Sequence, residues 1–129
     1  MKTERKQNFK VIIAGSRNFS NYKLLKDVCN ETLKEKKKEY NIVIVSGGAR
    51  GADKAGEMYA NEEKFDLEIF PADWKKFGKS AGFRRNEQMA NVADAVIAFW
   101  DGKSNGTKHM IETAEKNNLD LRVINYGNK

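Results

Sequence analysis

The residues with the clearest chemical signal form a glycine-rich stretch, 46–53, directly after the apolar run 42–45. Its three glycines lack a Cβ, so they can take positive φ angles and let the backbone approach a ligand closely. If a helix begins here, its first N–H groups and the positive end of its dipole face an anion. The stretch therefore predicts a phosphate-binding turn, and its candidate ligand-binding residues are Ser46, Gly47, Gly48, Arg50, Gly51 and Asp53.

The kind of phosphate is not fixed by this stretch. It lacks the Lys-Ser/Thr ending of a nucleoside-triphosphate P-loop, and its glycines do not have the spacing of a dinucleotide-binding fingerprint. A tight strand-to-helix turn without any ligand stays the alternative for this stretch taken alone.

Three further polar segments, 15–18, 71–85 and 101–107, follow other apolar runs. Eight of the ten glycines fall in or beside these four segments, whereas purely structural turns would spread glycines over both ends of a sheet. Arginine can grip a phosphate bidentately, and tryptophan can either stack on a base or pack against its own loop. The candidate ligand-binding residues that these segments add are Gly15, Ser16, Arg17, Trp74, Arg85, Asn86, Ser104, Gly106 and Thr107.

The elements that position these residues follow from the apolar runs 11–14, 42–45, 67–70, 95–99 and 121–124, which alternate with helical spacing. Repeated βαβ units place helices on both faces of a parallel sheet. The sequence therefore predicts an α/β fold, a Rossmann-like three-layer sandwich with a mainly parallel five-stranded sheet. Its ligand-binding edge is the carboxyl edge, where all four polar segments would lie.

The 129 residues suit one domain, which we place at 9–127 after a basic N-terminal tail, 1–8. Segment 23–39 is predicted to be an amphipathic helix with the single cysteine, Cys29, on its buried face, and 75–81 to be a basic loop.

One cysteine builds neither a disulfide nor a zinc site, so we expect no metal and no cofactor. A signal peptide and membrane-spanning runs are absent from the sequence, which favours a cytoplasmic protein.

The net charge of +6 is compatible with a nucleic-acid partner or with a small anionic ligand. The basic residues are interspersed with acidic ones and form no stripe with aromatic residues between them. A small anion is therefore the favoured partner.

Five ordered motifs resemble the YspA or YpsA-related branch of the SLOG superfamily: GSRNF, VSGGARGAD, FPADW, GKSAGFRRNEQMA and ADAVIAFWDGKSNGTKHMI. The resemblance covers roughly residues 9 to 125. It implies a Rossmann-like fold and a nucleotide-related ligand. The superfamily includes the LOG phosphoribohydrolases, which release free base from cytokinin nucleoside monophosphates, the DNA-processing protein DprA, and sensors of nucleotide-derived signals. The resemblance also implies a homodimer or larger homo-oligomer.

Compared with the LOG enzymes, this chain keeps part of the catalytic pattern. Residues 85–89 match the RKxxM motif except for Asn86 at the lysine position, and 104–107 is a weakened form of the PGGxGT loop. The glutamate that follows that loop in LOG enzymes is Met110 here, so Asp53 or Asp73 would have to supply a catalytic carboxylate beside Arg85. His109, the lone histidine, is expected to be a half-exposed helix residue.

These observations favour a module that binds a nucleotide or a nucleotide-derived phosphate ester, as a sensor or sequestering protein. The alternative is a nucleoside monophosphate phosphoribohydrolase or N-glycosidase. DNA binding, as in DprA, is the weaker alternative.

Overall fold

The computed structural model describes residues 6–126, and its centre is a five-stranded parallel sheet. The strands lie in the order β3-β2-β1-β4-β5, and every neighbouring pair is parallel. This confirms the predicted fold class. The bounds are β1 (Asn8–Gly15), β2 (Asn41–Ser46), β3 (Asp66–Ile69), β4 (Ala95–Trp100) and β5 (Asp120–Asn125).

Helices cover both faces of this sheet. They are α1 (Tyr22–Leu33), α2 (Lys36–Glu39), α3 (Ala52–Glu63), α4 (Trp74–Phe77), α5 (Ala81–Val92) and α6 (Asn105–Lys116), with a 3₁₀ turn at Gly78–Ser80.

Alternation along β1 divides the core between the two faces. Val11 and Ile13 belong to the apolar cluster under α1 and α3, whereas Ile12 and Ala14 belong to the cluster under α5 and α6. Because β1 and β4 are buried on both sides, their sequences are nearly continuous apolar runs.

Two local predictions are wrong. Segment 23–39 is two helices, α1 and α2, and the break between them lets Lys36 lie with its Nζ 4.8 Å from the centroid of the Phe9 ring. Residues 75–81 are not a loop, since they contribute to α4, the 3₁₀ turn and the start of α5. The reason is local: the Asp73 carboxylate accepts the backbone N–H of Lys76 at 3.1 Å and caps α4.

Cys29 is fully buried in α1, as predicted, and burial raises the pKa of its thiol to about 12. β1 begins at Asn8, the last residue of the proposed basic tail, and residues 1–5 and 127–129 lie outside the described part of the chain. None of the helices in the described part is long and apolar enough to cross a membrane.

Candidate functional site

Two adjoining clefts open at the carboxyl edge of the sheet. The first, of about 500 Å³, lies between the loops after β1 and β4 and the helices α5 and α6. The second, of about 510 Å³, lies between the glycine-rich turn after β2 and the segment after β3. Both volumes are in the range of small-molecule sites.

The structure brings most of the sequence-predicted residues to these two clefts. Those that line the first cleft are Gly15, Ser16, Arg17, Asp53, Trp74, Arg85, Asn86, Ser104, Gly106 and Thr107. Those that line the second are Gly47, Gly48 and Arg50, together with Arg17, Trp74 and Arg85, which line both.

Three predicted residues line neither cleft. Ser46 is fully buried at the end of β2, and Gly51 packs against the backbone of Ser16 and Arg17. Asp73, proposed as a catalytic carboxylate, is used as the cap of α4.

Arg85 is the charged side chain held most firmly between the clefts. It projects from α5 and is half-buried, its Nη1 donates to the carbonyl oxygen of Gly47, and its Nε donates to Asn86 Oδ1 at 3.2 Å. Burial lowers the pKa of the guanidinium, while the nearby Asp53 carboxylate acts in the opposite direction. The guanidinium nevertheless stays charged at neutral pH, because arginine does not lose its proton in proteins.

Gly47 makes this position of Arg85 sterically feasible. A Cβ at residue 47 would lie 2.5 Å from Arg85 Nη1 and 2.9 Å from Asp53 Oδ2. Gly47 is therefore needed so that the Arg85 side chain can approach the backbone of the turn, in addition to any approach of a ligand to that backbone.

Asp53 is the buried carboxyl group of the first cleft. It lies in the first turn of α3 with 6% of its surface exposed, and its Oδ2 accepts the N–H of Ala49 at 3.1 Å. Burial raises its pKa to about 6, although the Ala49 N–H and the charge of Arg85 partly offset that rise. A carboxyl group with this pKa can exchange a proton near neutral pH.

Three N–H groups of the glycine-rich turn are used within the chain. Gly48 donates to Ser46 Oγ at 3.1 Å, Ala49 donates to Asp53, and Ala52 donates to the carbonyl oxygen of Ser16 at 3.3 Å. Of these three donors only Ala52 belongs to α3, so the prediction that the new helix offers free N–H groups to an anion is wrong for that one. A phosphate would have to compete with acceptors of the protein for these three N–H groups.

A hydroxyl network closes the opposite side of the first cleft. Ser16 Oγ lies 2.8 Å from Ser104 Oγ and accepts the N–H of Asp101 at 3.2 Å, and Ser104 Oγ contacts Thr107 Oγ1 at 3.1 Å. The N–H groups of Lys103 and Ser104 lower the pKa of Asp101 by donating to its carboxylate. Since Ser104 Oγ is engaged there, α6 begins at the cleft without a side-chain cap.

Asn86 links this network to Arg85. It is 6% exposed, accepts from Arg85, and its Nδ2 lies 3.2 Å from the carbonyl oxygen of Gly106 and 3.2 Å from His109 Nδ1. His109 is half-buried, with its ring stacked on Phe83 at a centroid distance of 4.1 Å. Asn86 therefore orients Arg85 against the start of α6.

Sequence reasoning missed several cleft-lining residues. Phe83 and Met89 lie three residues to either side of Asn86 on α5, so helical spacing from that predicted residue would have found them. Asn18, Lys79 and Asp101 lie within the polar segments predicted for this edge, but spacing does not predict which side chains of such segments face a cleft.

Met110, at the glutamate position of the LOG pattern, lines the first cleft from below. It is 1% exposed and packs within the apolar cluster under α5 and α6. A carboxylate at this depth would lose its hydration without a partner.

The two clefts differ in electrostatic character. Asp53 and Asp101 line the first together with basic and apolar side chains, whereas the second is lined by basic side chains without an acidic one. Trp74, half-exposed at 52%, lies where they meet. Within residues 6–126, no group of three His, Cys, Asp or Glu side chains is placed to hold a metal ion.

Comparison with known proteins gives the chain relatives in sequence and in fold. Residues 9–77 match the sequence model of the YspA, cpYpsA-related SLOG family. The gene 61 protein of Mycobacterium phage D29 is 37% identical in an alignment 126 residues long that covers 93% of this chain and 98% of the phage protein.

Two solved structures of DNA processing protein A (DprA) share the fold. The Streptococcus pneumoniae protein matches with a TM-score of 0.67 and 19% identity, over 91% of this chain and 50% of that one. The Helicobacter pylori protein, described for its single-stranded DNA binding mode, matches with a TM-score of 0.61 and 23% identity, over 89% of this chain and 64% of that one. This chain thus spans less than two thirds of either DprA chain.

Proposed function

Because the chain belongs to the YspA, cpYpsA-related SLOG family, we propose that its first cleft binds a nucleotide or a nucleotide-derived phosphate ester, as a sensor or sequestering module. The observation that carries this proposal is the half-buried Arg85 guanidinium, held in place by Gly47 and Asn86 and turned toward an apolar-lined cleft. A guanidinium fixed in this way binds a phosphate with little loss of side-chain entropy.

The first cleft offers groups for each part of a nucleotide. Arg85 and Arg17 are the phosphate ligands, and the uncapped start of α6 favours the same negative charge. Trp74 and Phe83 supply aromatic surfaces for the base. The carboxyl group of Asp53 and the hydroxyl groups around Ser104 can accept hydrogen bonds from the ribose hydroxyls or donate to them.

A second candidate, hydrolysis of the N-glycosidic bond, is favoured by one observation. The pKa of Asp53, raised to about 6 in the same cleft, suits a group that takes and returns a proton. In this reading Arg85 holds the phosphate, while Asp53 activates water or protonates the leaving base. We assign Asp73 no part in this reaction, since it lines neither cleft and its Oδ1 caps α4.

Binding of single-stranded DNA is the weaker candidate and rests on fold likeness to DprA together with basic side chains at the clefts. A homodimer or larger homo-oligomer is a further proposal from family membership. Sedimentation equilibrium at micromolar protein concentration tests it, and a monomer would contradict it.

The function is tested by finding what the purified protein retains and what it releases. The protein is incubated with the four 5′-nucleoside monophosphates and with cyclic and ribosylated nucleotides, and retained and released compounds are then identified by mass spectrometry. Intact retained nucleotide supports the binding module, and released free base supports the hydrolase. Retention of none of these compounds, without base release, would contradict both.

A further inference from the structure

The second cleft carries an excess of positive charge that binding of a single phosphate in the first cleft does not explain. Four basic side chains line it, Arg17, Arg50, Lys54 and Arg85, and none of its described lining residues is acidic. Lys54 has a nearby counter-charge, since its Nζ lies 3.4 Å from Glu57 Oε1, but Glu57 does not line the cleft.

Converging cations of this kind repel one another. The charge of Arg17 contributes to lowering the pKa of Arg85, so the two guanidinium groups are close enough to interact unfavourably. An exposed cation can move away from such repulsion, whereas Arg85 is fixed by its hydrogen bond to the Gly47 carbonyl oxygen. A bound anion would stabilise the arrangement by neutralising both.

The second cleft is also continuous with the first. Arg17, Ala49, Trp74 and Arg85 line both, so a group bound in one cleft lies next to the other. We propose that the second cleft is a second phosphate subsite, and that the ligand is a small nucleotide carrying a second phosphate group, which straddles Arg17 and Arg85. This inference rests on the proposed nucleotide binding in the first cleft.

A small ligand fits the second cleft better than a nucleic-acid strand does. Single-stranded nucleic acids are bound along basic grooves in which successive bases stack on several aromatic side chains. The second cleft has one aromatic side chain, Trp74, and its other apolar lining consists of Ile69, Pro71 and alanines. It can therefore hold a phosphate beside one stacking surface, with no series of base sites.

The experiment compares ligands that differ by one phosphate. Isothermal titration calorimetry measures binding of the four nucleoside 5′-monophosphates, their 5′-diphosphates, their 3′,5′-bisphosphates and an oligothymidylate strand. The proteins are wild type, Arg50→Ala, Lys54→Ala and Lys37→Ala. Lys37 is an exposed residue of α2 distant in the fold from the clefts, so its substitution removes the same charge without touching them.

We expect at least one two-phosphate nucleotide to bind wild type about tenfold more tightly than its monophosphate, the gain of one charge-assisted hydrogen bond. Arg50→Ala or Lys54→Ala removes that gain. Lys54→Ala leaves monophosphate affinity within about twofold, and Lys37→Ala changes neither affinity.

Equal affinity for one and two phosphates, unaffected by Arg50→Ala and Lys54→Ala, overturns the second subsite and leaves the proposed function standing. Absence of binding by any nucleotide overturns the proposed function itself. Binding of the oligothymidylate more tightly than every nucleotide, weakened by Arg50→Ala, overturns the small ligand in favour of a strand.

Discussion

Replacing Gly47 with alanine should separate the binding role of Arg85 from the stability of the fold. Gly47 is not among the positive-φ glycines, so its backbone accepts alanine. The new methyl group would lie 2.5 Å from Arg85 Nη1, against the 3.4 Å at which ordinary contacts begin. Because that atom ends a flexible side chain, the guanidinium moves and the hydrogen bond to the Gly47 carbonyl oxygen is lost.

Gly47→Ala should affect nucleotide affinity and the unfolding free energy by different amounts. A hydrogen bond from a charged group contributes about 1.5–3 kcal/mol, so Gly47→Ala should weaken nucleotide binding by about 10- to 150-fold. The unfolding free energy changes somewhat less, because the loss of the same charge-assisted hydrogen bond, about 1.5–3 kcal/mol, is partly offset by the lower entropy of the unfolded alanine chain.

The assay is a double-mutant cycle in calorimetry, with urea unfolding of the same proteins. The nucleotide is the tightest binder of the wild type, and the variants are Gly47→Ala, Arg85→Ala and their combination. Gly56→Ala is the matched control, since its Cβ would lie 2.8 Å from Ile13 Cγ2 in the core and Gly56 lines neither cleft. It should cost about 1–3 kcal/mol of stability and leave the affinity of the folded protein unchanged.

The combined variant should bind no more weakly than Arg85→Ala alone, because both changes remove the same contact. Two losses that simply add, or a Gly47→Ala protein that binds like wild type, would refute the steric role of Gly47.

Three further results are expected. The pKa of Asp53 is higher in the folded than in the unfolded protein, so its stabilising contribution is fully present below the unfolded pKa of about 4 and is lost as pH rises through about 6. Between pH 4 and pH 7, the unfolding free energy of wild type should fall by up to about 3 kcal/mol relative to that of Asp53→Asn, as measured by chemical unfolding, and parallel pH profiles would disprove this. Trp74→Ala should weaken nucleotide binding by about 1–3 kcal/mol with little change in thermal stability, because Trp74 is half-exposed beside both clefts, and unchanged affinity would assign it to loop packing. Met110→Glu should lower the unfolding free energy by several kcal/mol without producing hydrolase activity, because it buries a carboxylate among Met89 and Ala114. A stable variant that releases free base from nucleoside monophosphates would contradict the account.

The centre of the sheet could be predicted from the sequence because β1, β2 and β4 are buried on both faces. Ile42 to Val45 form a continuous apolar run, and that run together with the glycines after it fixes both the strand β2 and the direction of its exit. Arg85 could be singled out for a similar reason, since an arginine one turn into a helix after a glycine-containing loop is placed at the carboxyl edge by topology alone.

The contacts within the site could not be predicted in the same way. Ser46 and Asp53 accept the N–H groups that were expected to bind phosphate, and such competition depends on side-chain geometry. The hydrogen bonds of Asn86 to the start of α6 join residues twenty positions apart. Helix α4 was missed because a four-residue helix has no periodicity to detect, although its cap, Asp73, is a visible signal.

The central claim is that Arg85 grips the phosphate of a nucleotide in the first cleft. Its most direct test is calorimetric titration of wild type and of Arg85→Gln with the four nucleoside 5′-monophosphates, after circular dichroism has shown both proteins folded. The account predicts binding of at least one nucleotide by wild type and an affinity at least about tenfold weaker for Arg85→Gln. Equal affinities of the two proteins, or no binding of any nucleotide by the folded wild type, would contradict it.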